Sequence, residues 1–304
     1  MKLVRDIQLN QTTPISGLGL VAEGGGQRGA FTAGVLDYLQ IANFNPFEVI
    51  IGTSAGAQNV ASFVSQQKGY AYSLIHDLTR DERFFNPWRF FSKNNIMDLD
   101  WYFKQVKKKS YQFDSAQANK NAQNRKVRFT AAHSSRLTTK LINPVKDGWL
   151  NSLKYSSSIP YLYDSGDFLD GGVSAPIPVT KAYKLGAKKI VVIRTTDGSE
   201  TIIPKPIERI KPLLCPKNRC PRFIKILYKY ENGYKRAERF IKKPPSDVEI
   251  ITLRPLRPLA TKVLGSSEQN IVDDYKYGLE IGKSFIENQA NSLLYNQQAS
   301  LDCS

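Results

Sequence analysis

Residues 47–66 have the sequence FEVIIGTSAGAQNVASFVSQ, an apolar run that ends in small residues and continues as a helix-like pattern. The run FEVIIG is typical of a buried strand, and AGAQNVASFVSQ has the spacing of a helix. Between them lies GTSAG, residues 52–56, which has the G-x-S-x-G pattern of a nucleophile elbow. A nucleophile elbow occupies this position, the turn between a strand and a helix. The sequence therefore predicts a strand–turn–helix unit that exposes the Ser54 hydroxyl at the end of a sheet.

A second unit of the same kind precedes it. LGLVAE, residues 18–23, predicts a strand, and residues 27–40 predict a helix, with GGGQRG, residues 24–29, as the loop. Such a glycine loop can bind a dinucleotide or can surround an oxyanion with backbone N–H groups.

The dinucleotide alternative requires an acidic residue at the end of the following strand. That strand ends in Gly52-Thr53-Ser54, and Glu48 lies at its start. A phosphate-binding Walker A loop is also disfavoured, because Ala30 and Phe31 follow Gly29 where Lys and Ser/Thr are needed. The pattern favours an oxyanion site beside Ser54.

Further strands are predicted at 127–133, 188–196 and 248–255, and a helical tail at 267–296. Apolar strands that alternate with helices indicate an α/β fold, in which a mainly parallel sheet is covered on both faces. We expect a catalytic domain over 1–200 and a basic C-terminal extension over 201–304, packed on the same sheet. Residues 199–246 are expected to leave the sheet.

The chain of 304 residues has a net charge of +16. Residues 205–243 hold thirteen Lys and Arg against three Glu. Such a stretch can attract an anionic membrane or nucleic acid, or can form a solvated helix face. No zinc-finger, RRM or KH pattern accompanies the charge, so nucleic acid is not expected as a partner.

No apolar run approaches the roughly 20 residues of a membrane span, and the N-terminus lacks a signal-peptide pattern. A cytoplasmic location is therefore expected. The cysteines, Cys215, Cys220 and Cys303, are expected to be reduced thiols. A metal site is not expected, because the chain has only two histidines to complete a ligand set.

Residues 84–91, FFNPWRFF, are unusually aromatic. They fit either a core or loop anchor, or a rim that touches an acyl chain or a bilayer interface.

A serine nucleophile needs a base. The usual order of an α/β-hydrolase places a histidine last, but His76 and His133 both lie in the first half of the chain. His133 follows a predicted strand and could approach Ser54. The other candidate is Asp170 in FLDGG, residues 168–172, although Asp-Gly-Gly is also an ordinary turn pattern.

Taken in order, GGGQRG, GTSAG and DGG resemble the motifs of the patatin-like phospholipase family of lipid acyl hydrolases. The SSSIP segment, residues 156–160, is similar to the small-residue segment that precedes the family's aspartate. More loosely, residues 228–282 resemble the C-terminal extension of bacterial members. The resemblance implies a three-layer α/β/α patatin-like fold.

The resemblance also implies a Ser–Asp dyad, with Ser54 as nucleophile and Asp170 as base. The glycines 24–26 would form the oxyanion hole, chiefly through the amides of Gly25 and Gly26. Arg28 occupies the family's basic position in the loop, where it would order the loop or meet a lipid phosphate. No cofactor is implied.

The expected function is hydrolysis of phospholipid, lysophospholipid or other lipid esters through an acyl-enzyme, with peripheral contact to anionic membranes. Two alternatives stay open. One is a catalytically silent lipid- or membrane-binding protein that keeps the fold. The other is a nucleic-acid-binding protein that uses the basic stretch.

Overall fold

The computed structural model describes residues 9–92, 95–198 and 221–295. Within them, seven strands form one sheet in the order β4-β3-β2-β1-β6-β7, and β5 also pairs with β3. The strands are β1 (Ile15–Ala22), β2 (Phe47–Thr53), β3 (Lys126–His133), β4 (Thr139–Ile142), β5 (Phe168–Asp170), β6 (Lys189–Ile193) and β7 (Glu249–Leu253). β4 and β5 run antiparallel to β3, and every other pairing is parallel.

The helices of the described residues flank this sheet. They are α1 (Gly29–Ile41), α2 (Ala55–Val64), α3 (Tyr70–Ser73), α4 (Leu99–Gln105), α5 (Ser115–Ala122), α6 (Pro144–Asp147), α7 (Trp149–Ser156), α8 (Val179–Lys184), α9 (Arg222–Lys242), α10 (Glu268–Asn288) and α11 (Ala290–Tyr295). Short 3-10 turns span Gly26–Arg28, Pro87–Ser92, Lys109–Tyr111 and Gly171–Val173, and a π-helical turn spans Leu74–Leu78.

Neighbouring residues of the central strands enter opposite cores, because side chains alternate across a sheet. In β1, Leu20 joins the core that contains Phe31 of α1, whereas Val21 joins the core that contains Ala182 of α8. Both faces are therefore buried, which explains the continuous apolar strands. The predicted fold class, a mainly parallel sheet between two helical layers, is confirmed.

The C-terminal residues join both layers and the sheet. β7 pairs in parallel with β6, α9 contributes Tyr234 to one core, and α10 contributes Phe285 to the other. A domain boundary near residue 200 stays a prediction.

Observed elements differ from the predicted ones mainly at their ends. The helix predicted from residue 27 begins at Gly29, after a 3-10 turn, and the strand predicted over 188–196 spans Lys189–Ile193. The aromatic stretch is divided: Phe84 is in the core, whereas Trp88 is 77% exposed.

The three cysteines and residues 205–220 of the basic stretch lie outside the described residues. Within the described ranges, no helix combines the length and the apolarity that crossing a bilayer requires.

Candidate active site

Ser54 occupies the turn between β2 and α2. Its φ is +55° and its ψ is −124°, a conformation that non-glycine residues rarely adopt. Strain of this kind clusters at functional sites, and it supports the predicted nucleophile elbow. The Ser54 N–H donates to Ser156 Oγ at 2.9 Å, which helps to hold the turn.

The sheet register brings Asp170 next to this turn. Thr53, the last residue of β2, pairs with Thr130, and Asp170 pairs with the following residue, Ala131. Because β4 occupies one side of β3 at Ala131, β5 pairs with the other side, where β2 ends. Asp170 therefore lies just beyond the end of β2, where Ser54 begins the elbow.

The SSSIP segment, residues 156–160, contacts both Ser54 and Asp170. Ser156 accepts from the Ser54 N–H, and the Ser158 carbonyl accepts from the Asp170 N–H at 2.7 Å. The sequence pattern alone did not assign these serines a role.

Asp170 is buried, with 7% of the residue exposed. Burial raises its pKa to about 6, although hydrogen bonds from Ser54 and from the Gly172 N–H oppose the shift. The Gly172 N–H donates to Oδ1 at 2.7 Å, whereas Oδ2 has no partner of good hydrogen-bonding geometry among the described residues. The Ser54 hydroxyl is therefore close enough to Asp170 to act on its pKa.

The glycine loop also lies beside Ser54. A Cβ on Gly24 would stand 3.3 Å from the Ser54 Cβ. The Gly24 N–H is engaged, because it donates to the Pro176 carbonyl at 3.2 Å. The amides of Gly25 and Gly26 donate no hydrogen bond within the described chain, and both glycines line the cavity beside Ser54.

The C-terminal residues hold this loop in place. The Gln27 N–H donates to the Val263 carbonyl at 2.9 Å, and Gln27 Oε1 accepts from the Ser266 N–H at 2.7 Å. The Gln27 side-chain amide also donates to Thr79 Oγ1 at 3.0 Å. Gly26, at φ +58°, packs so closely on Val263 that a Cβ would overlap its carbonyl oxygen. Gln27 is therefore a bridge that the sequence did not reveal.

A buried ion pair lies under the loop. Arg194 Nε donates to the Glu23 carboxylate at 2.8 Å, and its Nη2 donates to the Tyr234 hydroxyl at 2.6 Å. Nη2 also forms an ion pair with Glu238 at 2.7 Å. Burial lowers the pKa of Arg194, but the combined effects of Glu23, Tyr234 and Glu238 outweigh burial, so the pKa is raised. This network connects the residue before Gly24 to α9.

A cavity of about 440 Å³ opens above Ser54. Its polar lining includes Arg28, Ser54, Asp170 and the glycine amides, and the remaining wall is mainly apolar. The lining residues are Gly24, Gly25, Gly26, Arg28, Ser54, Ile159, Pro160, Tyr161, Asp170, Gly172, Val173, Pro176, Phe223, Ile226, Leu227, Tyr230 and Val263.

All six site residues predicted from the sequence, Ser54, Asp170, Gly24, Gly25, Gly26 and Arg28, line this one cavity. Arg28 is 9% exposed, and its charge acts to lower the pKa of Glu23 and of Tyr230.

The two histidines lie elsewhere. The His133 ring packs on Phe168 with centroids 5.6 Å apart, and His76 contacts Asp77 and Glu268. Neither lines the cavity.

Comparison with known proteins identifies two regions of the chain. Residues 20–183 match the model of the patatin-like phospholipase family, and residues 220–294 match a domain of unknown function, DUF6363. The uncharacterized protein YjjU of Escherichia coli K12 is 37% identical over 276 residues, which are 88% of this chain and 77% of YjjU. The crystal structure of VipD from Legionella pneumophila aligns with a TM-score of 0.44 at 10% identity, over 90% of this chain and 67% of that one.

The chain belongs to the patatin-like phospholipase family. At family level, its function is that of a lipid hydrolase.

Proposed function

We propose that this protein is a serine carboxylic-ester hydrolase of the phospholipase A or lysophospholipase type, which acts through a Ser54–Asp170 dyad. The observation that carries the proposal is the pairing of Ser54, at a φ of +55°, with a buried aspartate whose pKa is raised to about 6. A base with a pKa near neutrality suits proton transfer from a hydroxyl far better than an ordinary carboxylate.

The reaction has two steps. Ser54 Oγ attacks the ester carbonyl carbon while Asp170 takes the hydroxyl proton, and the amides of Gly25 and Gly26 donate to the oxyanion. The tetrahedral intermediate collapses, and Asp170 returns the proton to the departing alcohol. Water then attacks the acyl-enzyme carbonyl while Asp170 takes a proton from the water. The second tetrahedral intermediate collapses, Asp170 returns the proton to the departing Ser54 Oγ, and the fatty acid is released. These groups suffice without a cofactor.

The cavity supports a lipid ester as substrate. Its polar groups surround the reacting atoms, and the apolar wall beyond them suits an acyl chain. Arg28 lines the same cavity and is placed to meet a headgroup phosphate or to order the glycine loop.

We also propose that the enzyme is cytoplasmic and binds to the surface of anionic membranes. Residues 221–243 carry eight Lys and Arg against two Glu. Burial and the charges of Lys184, Arg236 and Lys229 lower the pKa of Lys181, so these side chains form one basic cluster across α8 and α9. Phe223 and Tyr161, both exposed, lie at the cavity. Nucleic acid is not expected as a partner.

The direct test is release of fatty acid from mixed phospholipid vesicles by wild type, Ser54→Ala and Ser115→Ala. Ser115 is an exposed serine at the start of α5 and serves as the matched control. Release by wild type and Ser115→Ala, but not by Ser54→Ala, is expected. Vesicle binding without release by folded wild type would contradict the proposal and favour the catalytically silent alternative.

A further inference from the structure

The first half of α9 forms a wall of the cavity. Phe223, Ile226, Leu227 and Tyr230 line it, and their spacing of three, one and three residues places them on one face of the helix. These residues belong to the DUF6363 region, 220–294, and not to the patatin-like region. A domain of unknown function thus completes the cavity that holds Ser54.

The helix is anchored by other residues. Tyr234, in its second half, donates and accepts hydrogen bonds with Arg194 and Thr196 at 2.6 and 2.7 Å, and Ala237 is buried in the core. Ile224 is fully buried on another face. Leu227 is only half-buried, so changing its volume alters the cavity more than the core.

The four wall residues lie at graded distances from the reacting atoms. Tyr230 is at the inner end, because a Cβ on Gly172 would contact its ring at 3.7 Å and Asp170 acts on its pKa. Phe223 is 41% exposed and lies at the mouth. Phe223 and Tyr230 are seven positions apart in the helix, which corresponds to about 10 Å along its axis.

We propose that this face of α9 is the acyl-chain subsite, so that the DUF6363 region sets the chain length the enzyme accepts. The acyl chain extends from Ser54 past Tyr230, along Ile226 and Leu227, towards Phe223. The inference rests on the proposed function, because it places the acyl group of the substrate in this part of the cavity.

The test compares bulky substitutions at two depths of the cavity with one outside it. Leu227→Trp and Phe223→Trp fill the middle and the mouth, and Lys225→Trp, on the exposed face of the same helix, is the matched control. Each is assayed for kcat/KM on p-nitrophenyl esters from acetyl to palmitoyl. We expect Leu227→Trp to lose tenfold or more on long chains and less than twofold on acetyl. Phe223→Trp should lose activity on the longest chains only, and Lys225→Trp should match wild type.

A loss that is equal at every chain length, or no loss at all, would overturn the proposal. Leu227→Ala supplies an opposite prediction, since a larger cavity should favour the longest or branched chains relative to acetyl. Thermal unfolding of each variant excludes a loss of folding as the cause.

Binding separates this proposal from the hydrolase proposal. Saturated fatty acids of increasing length are titrated into Ser54→Ala and into Ser54→Ala with Leu227→Trp. Weaker binding of long chains alone supports the subsite even if wild type cleaves no ester. Hydrolysis by wild type, together with unchanged binding and an unchanged chain-length profile, contradicts the subsite and leaves the hydrolase proposal standing.

Discussion

The patatin-like region, 20–183, and the C-terminal region, 220–294, contribute to one cavity in different ways. The first supplies Ser54, Asp170 and the glycine amides, and their positions are set by strand ends and by backbone conformation. The second supplies the apolar wall of α9 and the Val263 and Ser266 contacts to the loop. The positions of the proposed reacting groups depend on local backbone geometry. The shape of the apolar wall depends instead on side-chain volumes and on how a helix distant in sequence packs against the cavity.

This comparison predicts that substitutions of the proposed reacting groups cause the largest loss of activity. Asp170→Asn removes the proposed base but keeps an oxygen to accept the Gly172 N–H. We expect a fall in kcat of about 10³-fold or more, as for removal of a base in other acyl-transfer enzymes. Steady-state hydrolysis of a soluble ester measures it, and activity within tenfold of wild type would exclude Asp170 as base.

Gly26→Ala tests the place where the two regions meet. A Cβ there overlaps the Val263 carbonyl and must displace the loop, so the proposed amide donor to the oxyanion would be lost. The expected fall in kcat is about 10²–10³-fold. Gly69→Ala is the matched control, because Gly69 has a φ of +77° with open space around it. Equal loss in both variants would show that backbone strain, not the loop position, is responsible.

Stability should respond to Asp170 in the opposite direction from activity. The pKa of Asp170 in the folded protein, about 6, exceeds the ordinary aspartate value of 3.8, so folding favours the protonated form. This contribution to stability is present at low pH and is lost as pH rises from about 4 through 6. Asp170→Asn should therefore raise the free energy of unfolding at pH 8, by on the order of 3 kcal/mol.

Urea unfolding at pH 8 and pH 4.5 measures this gain, which should be much smaller at pH 4.5. Asp273→Asn, at an exposed carboxyl on α10, is the control and should change little at either pH. A gain of equal size at both pH values would contradict the assigned cause.

The smallest effect is expected on the outer face of α9. Reversing the charge of Lys229 and Arg236 should weaken binding to vesicles with anionic lipid by about 1 kcal/mol for each lost positive charge. Sedimentation at low and high salt measures it, with neutral phosphatidylcholine vesicles as control. If neither salt nor the substitutions change vesicle binding, the basic cluster does not contribute to membrane binding.

The sequence predicted the motif-bearing units well, because apolar strands and glycine-rich turns are local patterns. It predicted the β2–α2 unit around Ser54, and it singled out six of the residues that line the cavity: Gly24, Gly25, Gly26, Arg28, Ser54 and Asp170. It did not predict β4, because this strand has only four residues and its mixed polar and apolar sequence shows no clear strand pattern. Nor did it assign a role to Leu227 or Gln27, because the residues that they meet are distant in the chain, as Val263 is from Gln27.

The central claim is that Ser54 is the nucleophile and that Asp170 activates it. Wild type, Ser54→Ala and Asp170→Asn are treated with an alkyl fluorophosphonate over a range of pH, and the modified residue is located by mass spectrometry. We predict one adduct, on Ser54, whose rate of formation rises with pH through about 6 and is greatly slowed in Asp170→Asn. Modification at another residue, or equal labelling of folded Ser54→Ala, would contradict it.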